Sequence, residues 1–369
     1  MKLKKIKLVI FHPYSSIGGA DKSISRLING LNDRKYEIIF ITLNKAYIKN
    51  YLTKKIRIIE VKSSKAIFSI FKIRKILNKI LKTEKIIFLS NQNFANIISF
   101  FILYKMNNIK QVIVERNHID ELSFDKGIYD RLKKKLIKNL MILFYRKADG
   151  IIGNAKKLSV DLASLTNAKV KTIYNPAFDK DIFKNKNEKI KLYRNKKIIL
   201  NIGRLENQKD QITILKAIKN IDDILLIIIG FGSLKKKLSN YIKHENLKEK
   251  VIILENVSNP YPYFKIANLF VLSSLYEGFP NVLTEAIMFG VPIITSNCNS
   301  GPAEILLKKK GPQFFNKGDH RQLTFKIKSF FKNQKIISKR KKYLIKMLGR
   351  FQKDKIIKEY DEFFNNLFN

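Results

Sequence analysis

Short apolar runs and helical periodicities alternate twice along this chain, and that rhythm leaves few architectures open. Residues 6–11 form an apolar run, followed by Pro13 and the pair Gly18 and Gly19. Ile24, Leu27, Ile28 and Leu31 then fall at i, i+3, i+4 and i+7, one face of a helix. Strands are expected at 37–43, 56–61, 86–89, 111–114, 150–153 and 170–174, and helices at 66–81, 94–106 and 128–147. Residues 176–196 break the rhythm. Pro176 opens a stretch rich in Lys, Asn and Asp and poor in apolar residues, which reads as an interdomain connection. The alternation then restarts. Strands are expected at 198–202, 224–229, 251–254, 269–273 and 292–295, and helices from about 210, at 234–243, at 263–267 and from 281. The run 224–229 is apolar throughout, as a strand covered on both faces must be. Residues 320–369 read as helical and rich in lysine. Strands separated by helices give βαβ units and parallel sheets. The expectation is two consecutive doubly wound α/β domains, whose ligands bind beyond the carboxyl ends of the strands.

Composition narrows the chemistry. The single cysteine, Cys298, excludes a disulfide framework and a cysteine-ligated metal cluster. Four histidines, none closely paired, argue against a His-rich metal site. No run of about 18 apolar residues occurs, so a membrane-spanning helix is not expected. The basic start at 1–7 leads into a strand and not a signal-peptide core, so the chain is expected to stay in the cytoplasm. Lys plus Arg number 73 against 30 Asp plus Glu, a formal net charge of +43. Two readings of that charge stay open. An AT-rich coding sequence would enrich Lys, Ile, Asn and Phe together, whereas attraction to phospholipid or nucleic acid would select for charge. The stretches 66–81 and 128–145 combine apolar and basic faces. A core-facing stripe with a solvated lysine face accounts for that pattern as well as a membrane-docking surface does.

The densest chemistry lies in 272–286. An apolar strand runs into a turn at Gly278 and Pro280, then a helix for which Asn281 is a suitable N-cap. The helix N-terminus offers backbone N–H groups and a positive dipole end to a phosphate or sugar oxygen. Glu277 and Glu285 flank the turn and as carboxylates can accept from hydroxyls. Each glutamate taken alone reads equally as a solvated turn residue or a partner of the helix dipole.

The whole string resembles the E-x7-E signature of retaining glycosyltransferases of family 4, which have the two-domain GT-B fold. Further matches extend over most of the chain. Gly203, Arg204, Leu205, Gln208, Lys209 and Asp210 resemble the family's G-R-L-x-x-Q-K-G/D loop. Gly230 and Gly232 resemble its I-G-x-G-P turn, which reads as structural. Gly18, Gly19, Ala20 and Asp21 resemble its G-G-A-E loop, with Asp21 in place of Glu. Glu115, Arg116, Asn117 and His118 resemble an S-E-R-N segment of relatives that build bacterial surface glycans. Asn175 and Pro176 match the end of the first domain, a hinge, and Ser300, Gly301 and Pro302 an S-G-P-x-E-I-L segment. Residues 308–315 and Asn154 depart from the usual pattern.

The resemblance implies a GT-B architecture, α/β with two Rossmann-like doubly wound domains facing a central cleft. An acceptor-binding domain over 1–178 and a nucleotide-sugar-binding domain over 179–349 are expected, with the last helix, about 350–369, packing back on the first. The implied donor is a nucleoside diphosphate sugar, a UDP-sugar foremost. The implied acceptor is a glycan or a polyprenyl-diphosphate-linked glycan, with retention of configuration and neither divalent metal nor cofactor. The implied donor-binding residues are Gly18, Gly19, Gly203, Arg204, Lys209, Gly278, Phe279, Asn281, Val282 and Glu285. The implied catalytic residues are Glu277, Arg204, Lys209 and His118, with Glu277 holding sugar hydroxyls, Glu285 the ribose, and neither acting as a covalent nucleophile. A phosphate role for Arg204 and Lys209 follows from the charge of a diphosphate leaving group. Arg116 and His12 are further candidates near the substrate. The acceptor class implies a peripheral place on the cytoplasmic face of the inner membrane, against anionic lipid. Two alternatives stand beside this reading. A UDP-sugar epimerase of the same architecture would need an acid/base set that the chain does not display. A basic nucleic-acid-binding protein would be expected to carry zinc-finger spacing or an aromatic RNP-like segment, and neither is present, so no nucleic-acid partner is expected.

Overall fold

The apolar runs pair side by side as parallel strands in two separate sheets. The computed structural model describes residues 5–16, 18–80, 85–124, 127–179, 196–307, 313–333 and 341–369. The described chain divides into two compact units, Met1–Pro176 with Lys353–Asn369, and Ala177–Gln352. Most of the expected interdomain connection, Ile17 of the Gly18-Gly19 loop, and the departure at 308–312 lie outside the described residues.

The first unit runs β1 (Ile6–Phe11), α1 (Gly19–Gly30), β2 (Tyr36–Thr42), β3 (Arg57–Glu60), α2 (Ile70–Ile80), β4 (Ile86–Asn91), α3 (Asn93–Ile102), β5 (Ile109–Glu115), α4 (Ile128–Phe144), β6 (Gly150–Gly153), α5 (Lys156–Thr166) and β7 (Lys171–Thr172). Its sheet has the order β3-β2-β1-β4-β5-β6-β7. Alternate residues of β1 face opposite ways, so one strand feeds two cores. Leu8 and Ile10 pack with Ile24, Leu27 and Ile28 of α1. Val9 and Phe11 pack with Ile73 and Leu77 of α2. Each such side chain contributes about 1.5–3 kcal/mol by leaving water. Phe11 lies in register with Ser90, so the residues that follow, His12 and Asn91, emerge together at the carboxyl edge.

The second unit runs β8 (Lys197–Ile202), α6 (Gln211–Ile218), β9 (Ile224–Ile229), α7 (Lys235–His244), β10 (Val251–Leu254), α8 (Tyr261–Ile266), β11 (Leu269–Leu272), α9 (Asn281–Met288), β12 (Ile293–Ser296), α10 (Pro302–Leu306), β13 (Phe314–Phe315), α11 (His320–Lys332) and α12 (Lys341–Met347). The sheet order is β10-β9-β8-β11-β12-β13. Every residue of β9 is buried, as its uninterrupted apolar sequence requires.

The last helix, α13 (Lys353–Asn366), belongs to the first unit, where Ile356, Tyr360 and Phe364 join the α1 side of the core. It crosses α1 at Gly30, where a Cβ would lie 1.8 Å from Ile357 Cδ1. Asp361 accepts from Tyr36 Oη at 2.6 Å and from Lys35 Nζ at 2.7 Å.

Three local readings need correction. Residues 66–81 are not one helix: Ala66–Ser69 is a 3-10 turn that feeds α2. Helix α5 was not expected, because its buried face mixes Leu158 and Leu162 with Ser159 and Thr166 and shows no apolar stripe. Strand β13, only two residues long, was not expected; the described part of 320–369 is largely helical, as expected, in at least three helices, with α11 capped by Asp319, which accepts from Gln322 N at 2.9 Å.

Candidate active site

In the second unit the loops after β8, β9, β11 and β12 meet at the carboxyl edge, because those strands are neighbours in the sheet. The β8 and β9 loops touch backbone to backbone. Leu205 N donates to Phe231 O at 2.8 Å and Leu234 N to Leu205 O at 2.9 Å. A Cβ at Gly230 would lie 1.9 Å from Gly203 O, and one at Gly232, φ +156°, 2.5 Å from Leu205 O. These glycines are spacers that let two turns close on each other.

Gln208, to which the sequence reading gave no role, ties the β8 loop to the β11 loop. Its buried amide accepts from Arg204 Nη2 at 3.0 Å and donates to Tyr276 O at 3.0 Å. Its backbone O accepts from Leu275 N at 2.8 Å. Ser273 Oγ donates to Lys209 O at 2.7 Å. Asp210 then starts α6 from a left-handed conformation, φ 45°, which an Asp tolerates better than most residues. Burial raises its carboxyl above the ordinary range, against hydrogen bonds from Thr213.

Those bonds bring Lys209 to Glu277. Lys209 Nζ donates to Glu277 Oε1 at 2.5 Å, and Ser274 Oγ to the same oxygen at 2.6 Å. Glu277 is 5% exposed. Its other oxygen, Oε2, has no hydrogen-bond partner among the described residues, and Lys209 keeps two further N–H donors. Behind them, Ser274 O accepts from Ser296 Oγ at 2.5 Å and Cys298 Sγ at 3.0 Å. Burial, then the charge of Glu277, pushes the Cys298 thiol up to about 12, so it stays protonated.

The turn into α9 is held from the β12 loop. Gly301, φ +83°, leaves room for Gly278 O, which a Cβ would approach to 2.3 Å. Ser300 Oγ donates to Gly278 O at 3.3 Å. Phe279 is buried edge-on against Phe351, with centroids 4.8 Å apart. Asn281 is not the N-cap: Pro280 is, and Asn281 is the first helical residue, so no side chain among the described residues caps α9. Val282 is half-buried, and Glu285 is buried one turn into the helix.

Gly18, Gly19 and His118 belong to the first unit. Gly18 caps α1 and Gly19 begins it. Asp21, fully buried, accepts from Ser15 Oγ at 2.6 Å and Ser16 N at 3.0 Å, which fixes the loop. His118 has both ring nitrogens engaged. Nδ1 accepts from Asp120 N at 3.2 Å, which caps a 3-10 turn, and Nε2 lies 2.8 Å from Asp161 Oδ2. That geometry uses His118 to hold the loop after β5. Burial favours the protonated form of Asp161, but hydrogen bonds from Lys157 and His118 outweigh it and lower its pKa. Glu115, wholly enclosed, is pushed up to about 8 by burial, against hydrogen bonds from Tyr145 and Asn96.

Comparisons with known proteins agree on one family. The model for glycosyl transferases group 1 matches residues 182–359. An uncharacterized glycosyltransferase of Methanocaldococcus jannaschii is 34% identical over 74% of this chain and 72% of its own length. An N-acetylgalactosamine-N,N'-diacetylbacillosaminyl-diphospho-undecaprenol 4-alpha-N-acetylgalactosaminyltransferase of Campylobacter jejuni is 28% identical over 81% of this chain and 83% of its own. Among solved structures, sucrose-phosphate synthase from Thermosynechococcus elongatus superposes with a TM-score of 0.81 at 14% identity, covering 99% of both chains. Anabaena HepE in complex with UDP-glucose gives 0.79 at 15% identity, over 98% of this chain and 100% of that one.

Proposed function

Because this chain belongs to the group 1 glycosyl transferases, we propose that it moves a hexose or N-acetylhexosamine from a UDP-sugar to a hydroxyl of a lipid-linked glycan, with retention of configuration. The observation that carries this reading is the Lys209–Glu277 pair, a cation and a carboxylate with spare bonding capacity at one strand edge. Two named likenesses support the substrates: one relative is named for a diphospho-undecaprenol acceptor, and one structural neighbour holds UDP-glucose.

The chemistry follows from charge. As the bond from the sugar C1 to the phosphate oxygen breaks, the departing diphosphate gains negative charge. Arg204 and the two remaining N–H groups of Lys209 neutralise it, joined by the backbone N–H groups that open α9. Glu277 Oε2 accepts from sugar hydroxyls and Glu285 from the ribose. The acceptor oxygen attacks C1 on the face the diphosphate leaves, and a leaving phosphate oxygen takes the acceptor's proton. In this reading the two basic side chains do the work of a divalent cation, and no cofactor takes part. His118 positions the β5 loop.

The acceptor's lipid anchor fits a surface of the first unit. Of the 17 residues of α4, only Met141 is buried. Ile128, Tyr129, Leu132 and Leu136 are 58–85% exposed, and Phe68 and Phe71 before and within α2 are 63% and 83% exposed. Lys72, Lys75, Lys133 and Lys135 are exposed on the same helices. Apolar wedges among lysines suit the interface of an anionic bilayer, on the cytoplasmic side. No described helix is long and apolar enough to cross a membrane.

The test is titration of UDP-hexoses and UDP-N-acetylhexosamines, then transfer to a polyprenyl-diphosphate glycan with the product's anomeric coupling read by NMR. A bound UDP-sugar and a retained anomer are expected. Binding of none, or an inverted product, refutes the reading.

A further inference from the structure

The carboxyl edge of the first sheet holds buried polar groups that the transfer chemistry above leaves unused. Arg116 follows β5. It is 8% exposed, yet no carboxylate makes an ion pair with it among the described residues. Nε donates to Asn91 Oδ1 at 3.0 Å and Nη1 to Asn175 Oδ1 at 3.2 Å, both neutral acceptors. Nη2 has no partner among the described residues. A buried guanidinium loses hydration that two amide oxygens restore only in part. The nearby acids Asp21 and Glu115 act on its charge only through space, and burial outweighs them. Asp21 is committed to Ser15 and Ser16, and Glu115 is held protonated by burial.

Other groups at this edge are also unsatisfied among the described residues. Asn91 Nδ2, whose own oxygen accepts from Arg116, is a buried donor without a partner. His12, 1% exposed, has no hydrogen bond at either ring nitrogen, although Nε2 lies 3.5 Å from Asp21 Oδ2. Asn154 Oδ1, beyond β6, is an acceptor without a partner. His12, Asn91, Arg116 and Asn154 thus follow or end four adjacent strands, β1, β4, β5 and β6. The set has one cation, amide and imidazole donors, and one acceptor. That set fits an anion that carries a hydroxyl beside it.

We propose that Arg116, with Asn91 and His12 beside it, is a binding site in the first unit for a phosphoryl oxygen of a substrate. The choice of phosphoryl over another anion rests on the transfer reading, whose donor and acceptor both carry a diphosphate. The anion site itself stands on the unpaired guanidinium.

The experiment uses the full chain, saturated with UDP, titrated with inorganic pyrophosphate at physiological salt. One further site is expected, weakened about tenfold or more by Arg116→Gln and partly restored by Arg116→Lys. Binding needs no turnover, so this result stands apart from the fate of the transfer reading. A raised KM for a diphosphate-linked acceptor in Arg116→Gln, with kcat and UDP affinity kept, identifies the acceptor as the source. Loss of UDP affinity in Arg116→Gln, with no pyrophosphate bound beside UDP, identifies the donor. If Arg116→Gln folds poorly, Asn91→Asp neutralises the guanidinium in place and should abolish the site. Unchanged UDP affinity together with no pyrophosphate site, or a site that survives Asn91→Asp, overturns the proposal.

Discussion

Replacing Glu277 by Gln keeps the shape of the side chain and removes its charge, and the Lys209 contact lets the outcome be worked in three parts. The first is stability. The pair has side-chain exposures of 15% and 6% for Lys209 and Glu277. Removing one partner of a buried pair costs about 3–5 kcal/mol. The amide oxygen still accepts from Lys209 and Ser274, and Lys209 keeps some water, which reduces this to about 1–3 kcal/mol. At about 2–4 °C per kcal/mol for a unit of this size, melting falls by about 2–12 °C. The second part is affinity for free UDP. A carboxylate about 6 Å from a phosphate repels it by about 1–3 kcal/mol at an effective dielectric of about 20–40. The Lys209 ammonium on the same carboxylate already cancels most of that repulsion, so removal of the carboxylate charge should leave UDP binding unchanged or up to about tenfold tighter, and UDP should restore the lost melting temperature. The third part is turnover. Loss of a charged acceptor to the sugar hydroxyls costs about 1.5–3 kcal/mol, so kcat/KM should fall about 10–100-fold. Calorimetry with UDP, melting with and without UDP, and turnover measure all three. Normal turnover, or a loss of UDP affinity as large as that of Lys209→Ala, refutes the reasoning.

Four other outcomes are expected. Arg204→Ala or Lys209→Ala should cut turnover about 10²–10³-fold, the worth of about 2–4 kcal/mol of transition-state contact; near-normal rates in both would remove their phosphate role. Activity should survive EDTA, and a requirement for restored Mg²⁺ or Mn²⁺ would contradict the two-cation account. The chain should sediment with anionic vesicles more than neutral ones, less so at high salt, and Phe71→Ser with Tyr129→Ser should weaken both; equal binding to the two vesicles would leave the charge as compositional bias. Glu115, ordinarily at 4.5, sits at about 8 in the fold, so its contribution to stability is full below about 4.5 and declines as pH rises toward 8. Glu115→Gln should flatten that decline by a few kcal/mol, and melting curves from pH 5 to 8 parallel to those of the unaltered chain would count against it.

Strands β1 to β12 were legible, the clearest because a parallel strand covered on both faces is simply an apolar run, as in Ile224–Ile229; the two-residue β13 was not. Nor was helix α5. Ser159 and Thr166 sit on its buried face and satisfy their hydroxyls on Ala155 O and Leu162 O, one turn back, so burial there left no apolar period to read. Helix α4 shows the converse limit. Its apolar residues were visible, but whether they face a core or solvent depends on what stands opposite, and the structure leaves Tyr129 and Leu132 exposed. A core-facing stripe therefore does not explain the first turns of that helix.

The candidate site was legible residue by residue within each loop and illegible between loops. Nothing in the spacing joins Lys209 to Glu277, which are 68 positions apart. What joins them is strand order: β8 lies beside β11, so the turns that leave their carboxyl ends must share an edge. Gln208 then locks the two turns, a role invisible in sequence because an amide with both ends committed looks like any other polar residue. The consequence bears on mechanism. Lysine carries its charge on a four-carbon stem with rotamer freedom to lose. Here Glu277 holds the ammonium, and Ser274 and Ser273 hold Glu277 and the Lys209 backbone. On the proposed transfer reading, the cation is therefore in place before a diphosphate arrives. Little ordering is left for the moment of bond breaking, which is when such a charge contributes most to the rate.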